Sequence, residues 1–156
     1  MLELKHITEE GAGLETARHL FAEYAAELGV DLCFQSFDAE LKDPLKKYGH
    51  PKGCLILAYW NGEPAGTIAV QALEEEGACE MKRLYVKPAF RKFGIGEALV
   101  VALLKEAKQL GYTKMKLDTL ERLKSAIALY LKHGFIITTA YYHNPLPEVV
   151  YMERML

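Results

Sequence analysis

From Leu2 to Ile7 apolar and polar residues alternate, which predicts a strand with one buried face. Leu14, Ala17, Leu20, Phe21, Tyr24, Ala25 and Leu28 then recur at spacings of three and four, so a helix runs from about Gly13 to Glu27. Gly29 stands where a helix C-terminus favours glycine. From residue 29 to 53 the pattern is irregular. Ser36 or Asp38 can cap a short helix through about Lys42, Pro44 interrupts or restarts it, and Lys46 to Gly53 reads as loop. Cys54 to Trp60 is an apolar strand followed by Asn61-Gly62, a strong hairpin signal. Pro64 to Leu73 is the return strand, with Gly66 marking a bulge or close approach. Glu74-Glu75-Glu76-Gly77 reads as a solvated, mildly self-repelling tip before a third strand, Ala78 to Val86, which Pro88 ends. A helix follows from Gly94 to Leu110, then a strand from Lys114 to Thr119 and a helix from Arg122 to His133. A strand from Phe135 to Tyr142, a loop at Asn144-Pro145-Leu146-Pro147 and a last strand from Val149 to Arg154 complete the chain. The predicted order is β-α-α-β-β-β-α-β-α-β-β, an α/β (α+β) mixture without internal repeat or linker.

Composition narrows the picture. At 156 residues the chain is one domain, 1–156, and 51% hydrophobic with 26% charged residues is the balance of a globular core with a soluble surface. Nineteen basic against 21 acidic residues leave no surplus for a polyanion, so nucleic acid is not an expected partner. The N-terminus lacks the apolar stretch of a signal peptide. The longest apolar run, Leu99 to Leu104, falls far short of the roughly 18 residues a membrane span needs. Cys33, Cys54 and Cys79 form no C-x-x-C pair, and each reads as a small buried hydrophobe of a reducing cytoplasm. No H-x-x-x-H or H-E-x-x-H spacing occurs, so no metal is expected.

The segment Arg91-Lys92-Phe93-Gly94-Ile95-Gly96 carries the most chemical information. It joins a strand to a helix start, where unpaired N–H groups and the helix dipole favour an anion. Two glycines let backbone approach a ligand, and Arg91 and Lys92 add charge. These features suit a pyrophosphate, though a tight turn with surface cations has the same spacing. No Walker A pattern is present, and both Gly94-Ile95-Gly96 and Gly11-Ala12-Gly13 lack the third small residue of a dinucleotide fingerprint.

Arg91-x-x-Gly94-x-Gly96, following Arg83-Leu84-Tyr85-Val86-x-Pro88, resembles motif A of the GNAT superfamily of acyl-CoA N-acyltransferases. Ser125 to Phe135, with Leu129-Tyr130 and Gly134-Phe135, is similar to that family's A-x-x-L-Y-x-x-x-G-F segment. The element order matches as well, so the resemblance covers nearly the whole chain. It implies a central mixed, mainly antiparallel sheet flanked by helices, and acetyl-CoA as acyl donor. It further implies that the backbone of Leu84, Tyr85 and Val86 pairs with the pantetheine arm. The turn Arg91, Lys92, Phe93, Gly94, Ile95 and Gly96 would hold the pyrophosphate. The strands ending near Val86 and Thr119 would splay to admit the arm, Ser125 would lie near the adenosine phosphate, and Tyr130 would stand near the sulfur as general acid.

The reaction needs an amine without its proton and a leaving thiolate that gains one. A phenol with an ordinary pKa near 10 suits the second task. Tyr130 also falls one turn after Ala126 on the helix stripe, so it equally fits a core aromatic. Glu80, placed in one alternating set with Lys82, Leu84 and Val86, is the candidate base. The competing reading is an exposed strand glutamate paired with Lys82, Arg83 or Lys114. His19 reads as a boundary residue of its helix. Tyr141-Tyr142-His143-Asn144-Pro145 and Phe34-Gln35-Ser36-Phe37 are candidate walls for the acceptor. The expected activity is direct acetyl transfer to a small-molecule or peptide amine, and no cysteine lies in either motif to act as nucleophile. The rival is a non-enzymatic acyl-CoA-binding sensor, which would have no use for Tyr130 and Glu80. A homodimer through terminal strands or exposed helices is compatible with the sequence, which does not fix one.

Overall fold

A computed structural model describes residues 1–32 and 35–156. The readings placed on Cys33 and Phe34 lie outside the described residues. Strand β1 (Leu2–His6) leads into helix α1 (Ala12–Leu28), whose C-cap Gly29 takes the left-handed conformation, φ 67°. Two short helices follow, α2 (Phe37–Lys42) and α3 (Pro44–Tyr48). The expected loop from Lys46 is therefore helical to Tyr48. Pro44 restarts the helix because its fixed φ and missing N–H cost nothing in a first turn.

Strands β2 (Cys54–Trp60), β3 (Glu63–Ala72) and β4 (Ala78–Val86) form the antiparallel meander. Helix α4 (Ile95–Gln109), strand β5 (Lys114–Leu120) and helix α5 (Lys124–Lys132) come next. The chain ends in β6 (Ile136–Thr138) and β7 (Val149–Met155). The seven strands lie in the order β1-β2-β3-β4-β5-β7-β6, and only β4 and β5 run parallel. The strand expected from Phe135 to Tyr142 stops at Thr138. Beyond it the side chains of Tyr141 and Tyr142 bond to Glu80 and Asp118, and the chain leaves the ladder.

The sheet has a core on each face. One holds Ile56, Ile68, Met81, Leu99, Leu103, Leu117 and Phe135 beneath α4 and α5. The other holds Leu14, Phe21, Leu55, Leu57, Ala69 and Tyr85 beneath α1. A sheet covered on both sides reads as a continuous apolar run, and Cys54 to Ala58 are all buried. Gly66 is a close-approach glycine, because a Cβ there would stand 2.7 Å from the Tyr85 carbonyl oxygen on β4. The acidic tip is more than a solvated turn. Glu75 reaches Lys116 at 2.9 Å and Lys114 at 3.1 Å, tying the β3–β4 connection to β5.

Candidate active site

The site begins where β4 and β5 part. They pair only from Ala78–Lys114 to Glu80–Lys116. Beyond that, β4 continues along β3 to Val86, and β5 continues along β7 to Leu120. A bulge on β4 turns the strand away. Lys82 lies opposite Ala69 and Tyr85 opposite Thr67, so β4 spends one residue more than β3 over this stretch. Arg83 adopts φ 59° there, a left-handed conformation that costs a non-glycine residue roughly 1–3 kcal/mol. Bulges bend a strand and re-aim its side chains.

Arg83 holds the bulge in place. Its Nε donates to Glu40 Oε2 at 2.7 Å and its Nη2 to Glu40 Oε1 at 2.8 Å, while Nη1 donates to Gln35 Oε1 at 2.9 Å. Glu40 on α2 is 1% exposed. Burial acts to raise its pKa, but the hydrogen bonds and charge of Arg83 outweigh that and bring it below the ordinary value. The bidentate geometry is what makes so buried a pair tolerable.

The bulge corrects one expectation. Glu80 and Lys82 do not share a face with Leu84 and Val86. Leu84 and Val86 pack under α4 with Met81, whereas Glu80 and Lys82 open into a cavity on the other face with Gln35 and Tyr142. The extra residue at Arg83 reverses the alternation.

Between the parted strands runs a narrow cleft of about 60 Å³, lined by Lys82, Leu84, Asp118, Thr119, Ala126 and Tyr130 among others. Tyr130 projects from α5 and is 7% exposed, its ring edge-on to Phe135 at 5.9 Å. Burial pushes its phenol above the ordinary value, so the hydroxyl keeps its proton through the neutral range. Thr119, also buried, lines the β5 side. Leu84, Tyr85 and Val86 follow the bulge on β4, opposite the part of β5 that no longer pairs with it. Ser125 is exposed in the first turn of α5, outside the cleft lining.

The Arg91–Gly96 turn sits at the far end of β4. Gly94 caps α4 at φ 73°, and no side chain bonds to the helix start, whose first N–H groups stay available. Phe93 stacks on Trp60 at 4.5 Å and Ile95 is buried in the core, so these two anchor the turn. Lys92 is exposed. Arg91 is engaged within the protein. Its Nη2 reaches Glu27 of α1 at 2.7 Å, its Nε donates to the Val86 carbonyl at 2.8 Å, and its guanidinium lies 5.7 Å from the Tyr85 ring centroid. Gly96 has ordinary backbone, and a Cβ there would meet Leu129 at 3.6 Å and Val86 at 3.8 Å, which is normal contact.

On the opposite side of the bulge lies a cavity of about 620 Å³. Its walls include Gln35, Ser36, Gln71, Glu80, Tyr141 and Tyr142, together with Lys47, Lys82 and Lys116. Glu80 is 3% exposed rather than solvated. It accepts from Gln71 Nε2 at 2.8 Å and from the Tyr141 hydroxyl, and Lys82 Nζ stands 3.6 Å from its Oε1. Burial, then the charges of Glu80 and Asp118, raise the Tyr141 phenol well above its ordinary value. Tyr142 donates to Asp118, which also accepts from Asn144 Nδ2 at 2.8 Å. Lys82 and Gln35 line both the cavity and the narrow cleft, which therefore meet across the sheet.

The structure thus brings Leu84, Thr119 and Tyr130 around the narrow cleft, with Glu80 in the cavity that adjoins it at Lys82 and Gln35. Tyr141, Tyr142, Gln35 and Ser36 stand on the cavity side, while Phe37 packs toward the α1 core. Sequence reasoning missed Glu40, Asp118 and the buried place of Lys82. The only sequence trace of Glu40 is an acid inside an otherwise amphipathic short helix. Elsewhere, His6, Cys54 and Glu106 approach within 4.8 Å. The ring's Nδ1 stands 3.7 Å from Cys54 Sγ and its Nε2 3.9 Å from Glu106 Oε1.

Residues 15–135 match the family model described as Acetyltransferase (GNAT) family. This chain belongs to the GNAT family of acetyltransferases. It is 45% identical over 141 residues to an uncharacterised N-acetyltransferase of Schizosaccharomyces pombe, covering 90% of this chain and 86% of that one. An acetyltransferase structure from Streptococcus agalactiae superposes with a TM-score of 0.80 at 21% identity, over 99% of this chain and 98% of that one. The PaiA N-acetyltransferase of Thermoplasma acidophilum, solved with coenzyme A, superposes with a TM-score of 0.72 at 16% identity, over 100% and 99% of the two chains. The GNAT protein is accordingly an N-acetyltransferase, and its sheet is the mixed, mainly antiparallel one that membership implies.

Proposed function

We propose that this GNAT protein moves an acetyl group from acetyl-CoA directly to an amine, with Tyr130 as general acid and Glu80 on the proton path from the acceptor. The observation that carries the reading is the parting of β4 from β5 beyond Glu80 with Tyr130 set into the opening. The backbone of Leu84, Tyr85 and Val86 offers an edge along which a pantetheine arm can lie as a strand. Gly94 and Gly96 open the start of α4 to the pyrophosphate, and Lys92 adds charge from the surface. Arg91, tied to Glu27 and the Val86 carbonyl, braces the turn and contributes long-range charge. Thr119 lines the arm's other side, and Ser125 stands at the exposed end toward the adenosine.

The amine nitrogen attacks the thioester carbonyl carbon, the C–S bond breaks, and the thiolate takes the Tyr130 proton. The proton lost by the amine passes toward Glu80, which Gln71 and Tyr141 hold in place. Neither Cys54 nor Cys79 lines the cleft, in keeping with transfer that needs no covalent enzyme intermediate. Both are free and buried, which suits a reducing compartment such as the cytoplasm. No helix among the described residues is long and apolar enough to cross a membrane.

Replacing Tyr130 with Phe keeps the ring packing and removes only the acid. Release of free CoA thiol should fall roughly a hundredfold in kcat, with the KM for acetyl-CoA nearly unchanged. Unchanged turnover would remove Tyr130 from the mechanism. Tight acetyl-CoA binding with no thiol release across a broad amine panel would favour the sensor reading instead.

A further inference from the structure

Three lysines line the 620 Å³ cavity, and two of them have an acceptor on the protein within about hydrogen-bond distance, 2.9 Å for Lys116 and 2.9 Å for Lys47. Lys116 pairs with Glu75 at 2.9 Å. Lys47 donates to the Gln35 carbonyl at 2.9 Å and stands 3.4 Å from Glu40. Lys82 differs. Its side chain is 6% exposed, yet its ion-pair partner, Glu80 Oε1, is 3.6 Å away, longer than an N–H···O hydrogen bond. Glu80 is already committed to Gln71 and Tyr141. The face of the Tyr142 ring, with its centroid 5.9 Å from Nζ, supplies only a weak cation contact. An ammonium has three donors, and those of Lys82 lie at the wall of the cavity, where an acceptor can reach them. Lys82 is also the one of these lysines that lines both the cavity and the narrow cleft beside Tyr130.

We propose that Lys82 receives the carboxylate of the acceptor, and that the acceptor is a free α-amino acid. The inference rests on the acetyl-transfer reading above and adds the substrate class. The carboxylate class follows from the Lys82 ammonium, which among the described residues has the 3.6 Å ion pair with Glu80 but no hydrogen-bond acceptor. The α position follows from where Lys82 stands. A carboxylate held at the junction of cavity and cleft sets an amine one carbon away beside the cleft proposed to hold the thioester, whereas a distant amine would be kept in the cavity. The acceptor side chain then extends into the larger space toward Tyr141 and Lys116. A peptide N-terminus has an amide where this site has a cation, and a simple amine offers Lys82 nothing.

The test is a matched panel with the intact wild-type enzyme and acetyl-CoA. Each L-amino acid is run beside its carboxamide and its decarboxylated amine, with thiol release giving kcat/KM. The free acids should be preferred by at least roughly tenfold, the scale of one hydrogen bond to a charged group. Lys82→Met should erase that preference by raising KM for the acids alone, and Lys82→Arg should keep part of it. Amides or amines acetylated as well as the acids would overturn this assignment while leaving the transferase reading standing. A Lys82→Met loss of kcat shared equally by all three forms would overturn it too, placing Lys82 at the reacting carbonyl. No turnover with any amine would sink both readings together. If Lys82→Met does not fold, the wild-type panel and Lys82→Arg still decide.

Discussion

Gly96 stands at the second residue of α4, with ordinary backbone angles and room for a Cβ. Neither strain nor crowding inside the protein requires glycine there. The space a Cβ would enter lies between Val86 at the end of β4 and Leu129 on α5, in line with the proposed donor path. Gly96→Ala should therefore fold with a thermal midpoint at or above that of the wild type, yet raise the KM for acetyl-CoA roughly tenfold. Titration with CoA followed by calorimetry, beside a thermal melt, separates the two effects. Gly94 differs in kind, since φ 73° is a conformation that side chains resist. The motif's two glycines thus differ, Gly94 meeting a need of the chain and Gly96 the proposed need of the ligand.

At the scale of elements, the bulge in β4 depends on α2. Arg83 can stay at φ 59° because Glu40 and Gln35 grip its guanidinium from the helix side. Glu40→Ala leaves that cation buried without its counter-charge and should cost about 3–5 kcal/mol in urea unfolding. The pair also sets an acid limit. Glu40 has its folded-state pKa lowered, against about 4.3 for an unfolded glutamate, so its stabilisation is complete above that value. It is lost as pH falls through the lower folded value. The urea midpoint should hold between pH 7 and 5 as far as this pair is concerned, then drop below about pH 4. The gap between wild type and Glu40→Gln should close there as well. A gap that persists undiminished at the lowest pH at which both proteins still fold would contradict this.

For the whole molecule, two cores on opposite faces of one sheet leave little exposed chemistry outside the cleft. Cys54 and Cys79 face the α4 core, and burial pushes each thiol up to about 12. Both stay protonated at pH 8, so iodoacetamide should label them only after denaturation, as intact-mass measurement would show. Labelling of either within minutes in the native protein would mean that the α4 layer opens readily. The hydrophobic pattern alone determined the meander, the helix α4 and the Arg91–Gly96 turn, because periodicity and the glycine signals are local properties of the chain. The same holds for the family motif and for Tyr130, whose neighbours in sequence are also its neighbours on α5. Tertiary structure alone decided the rest. A positive φ at Arg83 has no signature in sequence, since an acid 43 residues earlier maintains it. That single extra residue turned Glu80 and Lys82 to the opposite face from Leu84 and Val86. Likewise, β6 stops early because Tyr141 and Tyr142 find partners on β4 and β5. The proposed donor half of the site is written mostly in contiguous residues. The proposed acceptor half draws on Gln35 and Ser36 before α2, on α3, β3, β4 and β5, and on the segment before β7, so only folding could bring it together.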